Sequence, residues 1–143
     1  MTDGATAVED LEKTESNEAL VASFVDDFLV HGRMEKLASY IADADYIQHN
    51  PKIGDGLSGL RRAFTEMTDA GITVKYDHVH KVLGEGNFVL VVSEGQFAGA
   101  HTSFYDLFRV HGGKIVEHRD TLEAIPPRSE WKNPNDKFGF ANN

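Results

Sequence analysis

The chain changes its hydrophobic period about half-way along. In the first half, Leu20, Val21, Phe24, Val25, Phe28 and Leu29 form a broad apolar stripe at helical spacing. Ser16 or Asn17 can cap this helix, and Gly32 can stop it, because glycine accepts the left-handed backbone that ends a helix. A second, shorter helix is predicted from Arg33 to about Ala42, burying Met34, Leu37 and Ile41. Ala44 to Asn50 is too short and too rich in Tyr and Ile for a further helix, and Pro51 closes it. A short strand is expected there, with Ile47 and His49 on one side. A loop over 51–56 then leads into a third helix marked by Leu57, Leu60, Phe64 and Met67, with Ser58 near its start and Gly71 past its end.

The second half alternates. Ile72, Val74, Tyr76, His78, His80 and Val82 are interleaved with mostly polar positions, a strand signature that Val79 blurs. Glu85-Gly86-Asn87 reads as a hairpin turn, followed by strands over Phe88 to Phe97, His101 to His111 and Lys114 to Ala124. Gly112-Gly113 closes one hairpin, and Pro126-Pro127 stops the last strand. Four long antiparallel strands in a meander, after three helices, make an α+β fold with the helices on one face of a strongly bent sheet. Such a sheet encloses a cone with a closed bottom and an open mouth.

Length sets the scale: 143 residues suit one domain. We divide it into an acidic, weakly ordered leader over 1–16, the domain over 17–127, and a tail over 128–143 that packs on the domain or on a dimer partner. The chain has no cysteine, which excludes disulfides, thiol nucleophiles and thiolate metal sites. A net charge of −9 without a basic stripe argues against nucleic acid as partner. No apolar run is long enough for a membrane span, and the leader lacks the pattern of a signal peptide, so a cytoplasmic protein is expected.

Strand alternation assigns polar residues to faces. In the last strand, Val116 and Leu122 share a side with His118 and Asp120. The opposite side carries Ile115, Glu117, Arg119, Thr121 and Glu123, and being mostly charged it is best left wet. One strand earlier, Asp106 shares a side with Phe104, Phe108 and Val110. Before that, Glu94 and Gln96 share a side with Phe88, Leu90 and Val92. Four strands thus each bring a titratable group onto an otherwise apolar face. Isolated buried carboxylates cost several kcal/mol each, so these groups should meet around a partly hydrated hollow. The candidate pocket comprises His49, Glu94, Asp106, His118 and Asp120, with Ile47, Asn50, Phe108 and Leu122 beside them. Each has a plainer reading as well: Asp106 can pair with Arg61, Arg62 or Arg109, and His118 with Asp120 can be a structural pair.

Other motifs carry less. His78-Val79-His80 has the spacing of two zinc ligands but lacks two convincing partners, so solvated or core-edge histidines are expected and no metal site is assigned. Gly54-Asp55-Gly56 lacks the spacing and the Lys of a phosphate loop. No Gly-x-Ser-x-Gly elbow is present. Trp131, Phe138 and Phe140 fit a tail folded back over the domain or onto a neighbouring subunit.

Two stretches resemble the SnoaL-like family of the nuclear transport factor 2-like superfamily. The first is Tyr46-Ile47-Gln48-His49-Asn50-Pro51 followed by Gly54-Asp55-Gly56 and a helix. The second is Asp106-Leu107-Phe108-Arg109-Val110 with Gly113-Lys114-Ile115-Val116-Glu117-His118 and Asp120. The resemblance implies a cone-shaped, cystatin-like α+β barrel, commonly a homodimer. It also implies kinship with polyketide cyclases that close rings by intramolecular aldol condensation, using a pocket acid and no cofactor. Asp120 matches the acid/base position. Limonene epoxide hydrolases, more distant relatives, resemble the chain in the Arg119-Asp120 pair and in a polar residue near His49. Many close relatives carry Trp where Arg119 stands.

These readings point first to a cofactor-independent acid/base enzyme acting on a small, partly apolar molecule. Asp120 would be the base, His118 its orienting partner, and His49 the donor to a developing oxyanion, with Glu94 and Asp106 as second choices for the acid. A non-catalytic binding or sensing module ranks second. A protein-interaction domain ranks third, since it has no reason to line its interior with His and Asp.

Overall fold

The computed structural model describes residues 4–139. The first helix, α1, runs over Thr14–Phe24 and continues as a π-helical stretch, Val25–Val30. It starts earlier than the expected caps. Asn17 lies inside it, buried, and donates its side-chain amide to the Gly86 carbonyl at 2.9 Å. Thr14 and Glu18 accept the backbone N–H groups of Gly86 and Gly84, so α1 is strapped to a hairpin turn of the sheet. Gly86 is required there twice over: its φ is +60°, and a Cβ would sit 2.0 Å from the Glu9 carbonyl oxygen. Helix α2 is only Leu37–Tyr40, preceded by a 3₁₀ turn at Met34–Lys36, and α3 spans Gly56–Asp69.

Strands β1 (Ile47–Gln48), β2 (Val74–Glu85), β3 (Phe88–Phe97), β4 (Ala100–His111) and β5 (Lys114–Ala124) form one sheet in the order β1-β5-β4-β3-β2. The four long strands are antiparallel as expected, but β1 pairs parallel to β5, so the sheet is mixed. The expected α+β fold, helices packed on a strongly curved sheet, is what the structure has; the sheet is curled rather than closed, with β1 and β2 as its two edges. No helix among the described residues is long and apolar enough to cross a membrane.

Bulges decide which residues face inward. The β2–β3 register shifts between Tyr76 and His78 and again between Val79 and Lys81. Each shift reverses the alternation, so Tyr76, Val79 and Val82 all reach the helix side, and the bent strand curls the sheet. A third shift sets Val110 opposite Ile115 but Arg109 opposite Glu117, with Val116 as the extra residue. Strict alternation therefore misplaces two residues of β5: Ile115 joins the helix-side core, and Val116 does not. That core packs Val21, Val25 and Leu37 against Val89, Val91 and Ile115.

The outer face is not simply wet. On β3 both faces are apolar, and Val89 and Val91, not Leu90 and Val92, point to the helices. Leu90 and Val92 are covered by Ile125 and, from the tail, by Trp131 and Phe138. Phe138 stacks on His80 with ring centroids 4.2 Å apart, while Phe140 lies outside the described residues. Glu117, expected in solvent, is fully buried. It accepts from Arg109 Nε at 2.5 Å, from Arg119 Nη2 at 2.7 Å, and contacts His49 Nε2 at 2.7 Å. Burial pushes the Glu117 carboxyl up, but the hydrogen bonds from Arg109 and His49 and the two guanidinium charges outweigh it and hold it below its usual range.

Because that carboxyl is lowered on folding, its stabilising contribution is complete above its ordinary value of 4.5 and is lost as pH falls through the folded value. Glu117→Gln is expected to destabilise the fold by roughly 2–4 kcal/mol at neutral pH, since it leaves the part-buried guanidinium groups of Arg109 and Arg119 without their shared carboxylate. In urea denaturation, the gap between wild type and variant should narrow as the pH drops below 4.5. A gap that is constant with pH would disprove the assignment.

Candidate active site

A cavity of about 380 Å³ opens between α1, α3 and the inner face of the sheet. Its walls are largely aromatic: Phe24 and Phe28 from α1 and its π extension, Phe64 from α3, and Phe97, Phe104 and Phe108 from β3 and β4. The π-helical stretch sets both Phe28 and Leu29 against the cavity, and such stretches are concentrated at functional sites.

One end is polar. Asp106 and Asp120 are directly opposed on β4 and β5, and His118 is opposed to Phe108. Like charges placed opposite each other in a sheet repel, so the pair needs donors. Asp106, 2% exposed, receives the Tyr76 hydroxyl at 2.8 Å on one oxygen and contacts His118 Nε2 at 2.8 Å on the other. Asn50 donates its side-chain amide to both oxygens of Asp120, at 3.1 and 2.9 Å. His118 Nδ1 lies 2.8 Å from Gln48 Oε1. The orientation of Gln48 is fixed from two sides: Oε1 accepts the Asn50 backbone N–H at 3.0 Å, and Nε2 donates to the Tyr46 hydroxyl at 3.0 Å. His118 Nδ1 therefore donates to Gln48. The remaining contact, Nε2 to Asp106, needs a second proton, carried by the ring or by the acid.

Both tyrosines remain protonated donors. Burial and then the charges of Asp106 and Asp120 push the Tyr46 hydroxyl far above its ordinary value. Burial, then the adjacent Asp106, does the same for Tyr76. Tyr76 stacks on Phe104 with centroids 4.2 Å apart, and His118 packs on Phe108 at 4.9 Å, so neighbouring rings hold both in place.

Of the residues singled out in the sequence, Asn50, Asp106, Phe108, His118, Asp120 and Leu122 line this cavity. His49, Ile47 and Glu94 do not. In the parallel β1–β5 pairing, Ile47 is matched with Glu117 and Gln48 with His118, so Tyr46, Gln48 and Asn50 turn inward while Ile47 and His49 turn to the outer face. His49 is there the partner of Glu117. Glu94 is also on the outer face, bridging His80 Nε2 at 2.8 Å and His101 Nε2 at 2.6 Å. Burial raises its carboxyl, but these two histidine contacts lower it further, to below the ordinary range. Arg119 points away from Asp120 to Glu117, so the two are not joined in the cavity. None of Arg61, Arg62 and Arg109 pairs with Asp106; its partners are Tyr76 and His118.

The sequence reading missed Tyr46, Gln48 and Tyr76. The alternation of Tyr46, Gln48 and Asn50 was visible, but apolar Ile47 drew the other parity inward. Tyr76 read as ordinary strand packing. Among the described residues, Asp106, His118 and Asp120 offer ligand atoms within 4.8 Å of one another, close enough to share a cation. Each is already engaged by a neighbour: Tyr76, Gln48 and Asn50 respectively.

The model of the SnoaL-like domain matches residues 21–118. No curated protein sequence matches the chain. Among solved structures it is similar to a putative ketosteroid isomerase from Kribbella flavida, at 18% identity and a TM-score of 0.66, covering 87% of this chain and 94% of that one. A putative polyketide cyclase from Streptomyces antibioticus is 21% identical with a TM-score of 0.58, covering 75% of this chain and 91% of that one. A protein of unknown function with a cystatin-like fold from Xanthomonas campestris is 23% identical with a TM-score of 0.62, covering 74% and 89%. At these identities the likeness is one of fold.

Tyr76→Phe removes the hydroxyl that donates to buried Asp106. We expect a loss of about 1.5–3 kcal/mol, as for a hydrogen bond to a charged group, read as a lower urea midpoint at unchanged slope. An unaltered midpoint would show that Asp106 does not depend on Tyr76.

Proposed function

The chain belongs to the SnoaL-like domain family, and on that premise we propose that it is a cofactor-independent acid/base enzyme that moves a proton on a small, partly apolar molecule. Aldol-type cyclisation or isomerisation is the chemistry in view. One observation carries the proposal: two carboxylates share the polar end of an aromatic cavity, but only one is committed. Asp106 is held by Tyr76 and His118. Asp120 is partly exposed, lines the cavity, and has the Asn50 amide as its hydrogen-bond partner among the described residues. It is the group free to accept a proton from a bound molecule.

The roles follow from position. Asp120 is the general base. Asn50 orients it by donating to both oxygens, as an acceptor-only carboxylate requires. The His118–Asp106 pair holds its own proton and offsets the second negative charge. The aromatic walls exclude water and bind the apolar part of the substrate. Positioned proton transfer of this kind supplies about 10²–10⁴-fold in rate.

A direct test needs no knowledge of the natural substrate. Exchange of the α-hydrogens of small aryl ketones such as acetophenone for deuterium, followed by NMR, reports proton abstraction at carbon. Asp120→Asn is expected to slow this exchange by about 10²-fold or more while leaving the urea midpoint near that of wild type. Equal exchange rates for the two proteins would rule Asp120 out as the base.

A further inference from the structure

The spacing His78-Val79-His80 lacked convincing partners in the sequence, and the fold supplies them. Strand β2 bulges at this point: Val79 is opposite Ser93 and Lys81 opposite Val92, so His80 is an extra residue without a ladder partner. The local kink of a bulge re-aims its side chain, and His80 Nε2 reaches Glu94 Oε1 at 2.8 Å. His78 is paired directly with Glu94 across β2 and β3, and its ring meets that of His80 edge-on with centroids 4.3 Å apart. From β4, His101 Nε2 contacts the other Glu94 oxygen at 2.6 Å. Three imidazoles from β2 and β4 thus gather around one carboxylate on the strand between them. The cluster is both oriented and accessible. Phe138 stacks on His80 with an interplanar angle of 16°, and His78 lies at its edge, so the His80 ring is held with Nε2 toward Glu94. The His80 side chain is largely buried and that of Glu94 a quarter exposed, whereas half-exposed His101 opens the group to solvent.

We propose that His78, His80, Glu94 and His101 form a binding site for a divalent transition-metal ion, zinc in the first place, on the outer face of the sheet. Imidazole nitrogens with a carboxylate oxygen are the donor set of zinc and of other late first-row divalent ions. An ion replaces the proton that lies between each Nε2 and the Glu94 carboxylate. The two rings stand on different oxygens of Glu94, so the ion draws them together, and half-exposed His101 closes on it by a side-chain rotation. The Asp106, His118 and Asp120 trio in the cavity is the poorer competitor. It offers one imidazole, and its members are already engaged by Tyr76, Gln48 and Asn50. Bound at the outer cluster, the ion joins β2, β3 and β4 beside the docked tail and touches no residue of the cavity. Its role is that of a clamp on the sheet, and the site stands whether or not Asp120 is a base.

The test titrates the untagged full chain with zinc chloride. Saturable one-to-one binding is expected by calorimetry, weakening as pH falls because protons compete for the imidazole nitrogens. Zinc should shift the side-chain ¹⁵N resonances of His78, His80 and His101 and leave those of His118 in place. Loss of a group that merely supports a metal ligand costs about 10–100-fold in affinity, so His101→Ala is expected to weaken zinc by about 10-fold or more. His101 is half exposed, and its replacement leaves the fold intact even if Glu94→Gln does not. Zinc should raise the urea midpoint of wild type more than that of His101→Ala, since an ion that binds the folded state stabilises it. Equal zinc affinity in wild type and His101→Ala would overturn the proposal. So would shifts at His118, which would put the ion in the cavity, and so would weak uptake without saturation, the mark of an adventitious ion only.

Discussion

The polar end of the cavity is governed by the placement of Asp106 and Asp120 side by side on adjacent strands. Two carboxylates at cross-strand distance in an apolar hollow repel each other and lose most of their hydration. Every polar neighbour answers that constraint. Tyr76 and the proton of the His118 pair attend to Asp106, and Asn50 attends to Asp120. Gln48 sets the orientation of His118 and is itself fixed by Asn50 and Tyr46. The hydrogen bonds form one connected set from β1 through β5 and β4 to β2, so a change in one group is felt by the others.

The same set explains why the edge strand β1 matters despite its two residues. It contributes Gln48 to the inner face, and the residues flanking it contribute Tyr46 and Asn50, while His49 goes to the outer face. Its parallel register against β5 therefore decides which residues line the cavity: a slip of one residue would exchange the two sets.

On the outer face a second charged group has been buried, around Glu117, and the tail covers the apolar side of β3. The sheet thus has one face that lines a cavity and another that is packed by ion pairs and by the tail. Glu117 with Arg109, Arg119 and His49 has enough partners to hold its charge. Glu94 with His80 and His101 is a similar but more open arrangement. Of the histidines that looked like pocket or metal residues, His49 and His80 are engaged in these outer clusters, while His118 stays in the cavity.

Hydrophobic period determined the order of helices and long strands, the α+β class, and the inward direction of Asp106, His118 and Asp120. Those signals are local: a 3.6-residue or two-residue repeat is written into adjacent positions, and Asp120 lies two residues from His118. What only the tertiary structure decided was parity across irregularities. The extra residue at Val116 exchanged the places of Ile115 and Val116, and two shifts in β2 brought Tyr76, Val79 and Val82 to one side. Glu117 read as wet because alternation reports a face and not what covers it. Glu94 was placed on the wrong side because β3 is apolar on both faces, and the tail that buries the second one comes from residues some forty positions away. Which of two equally apolar faces becomes the cavity depends on where the helices pack, and no window of neighbouring residues holds that information.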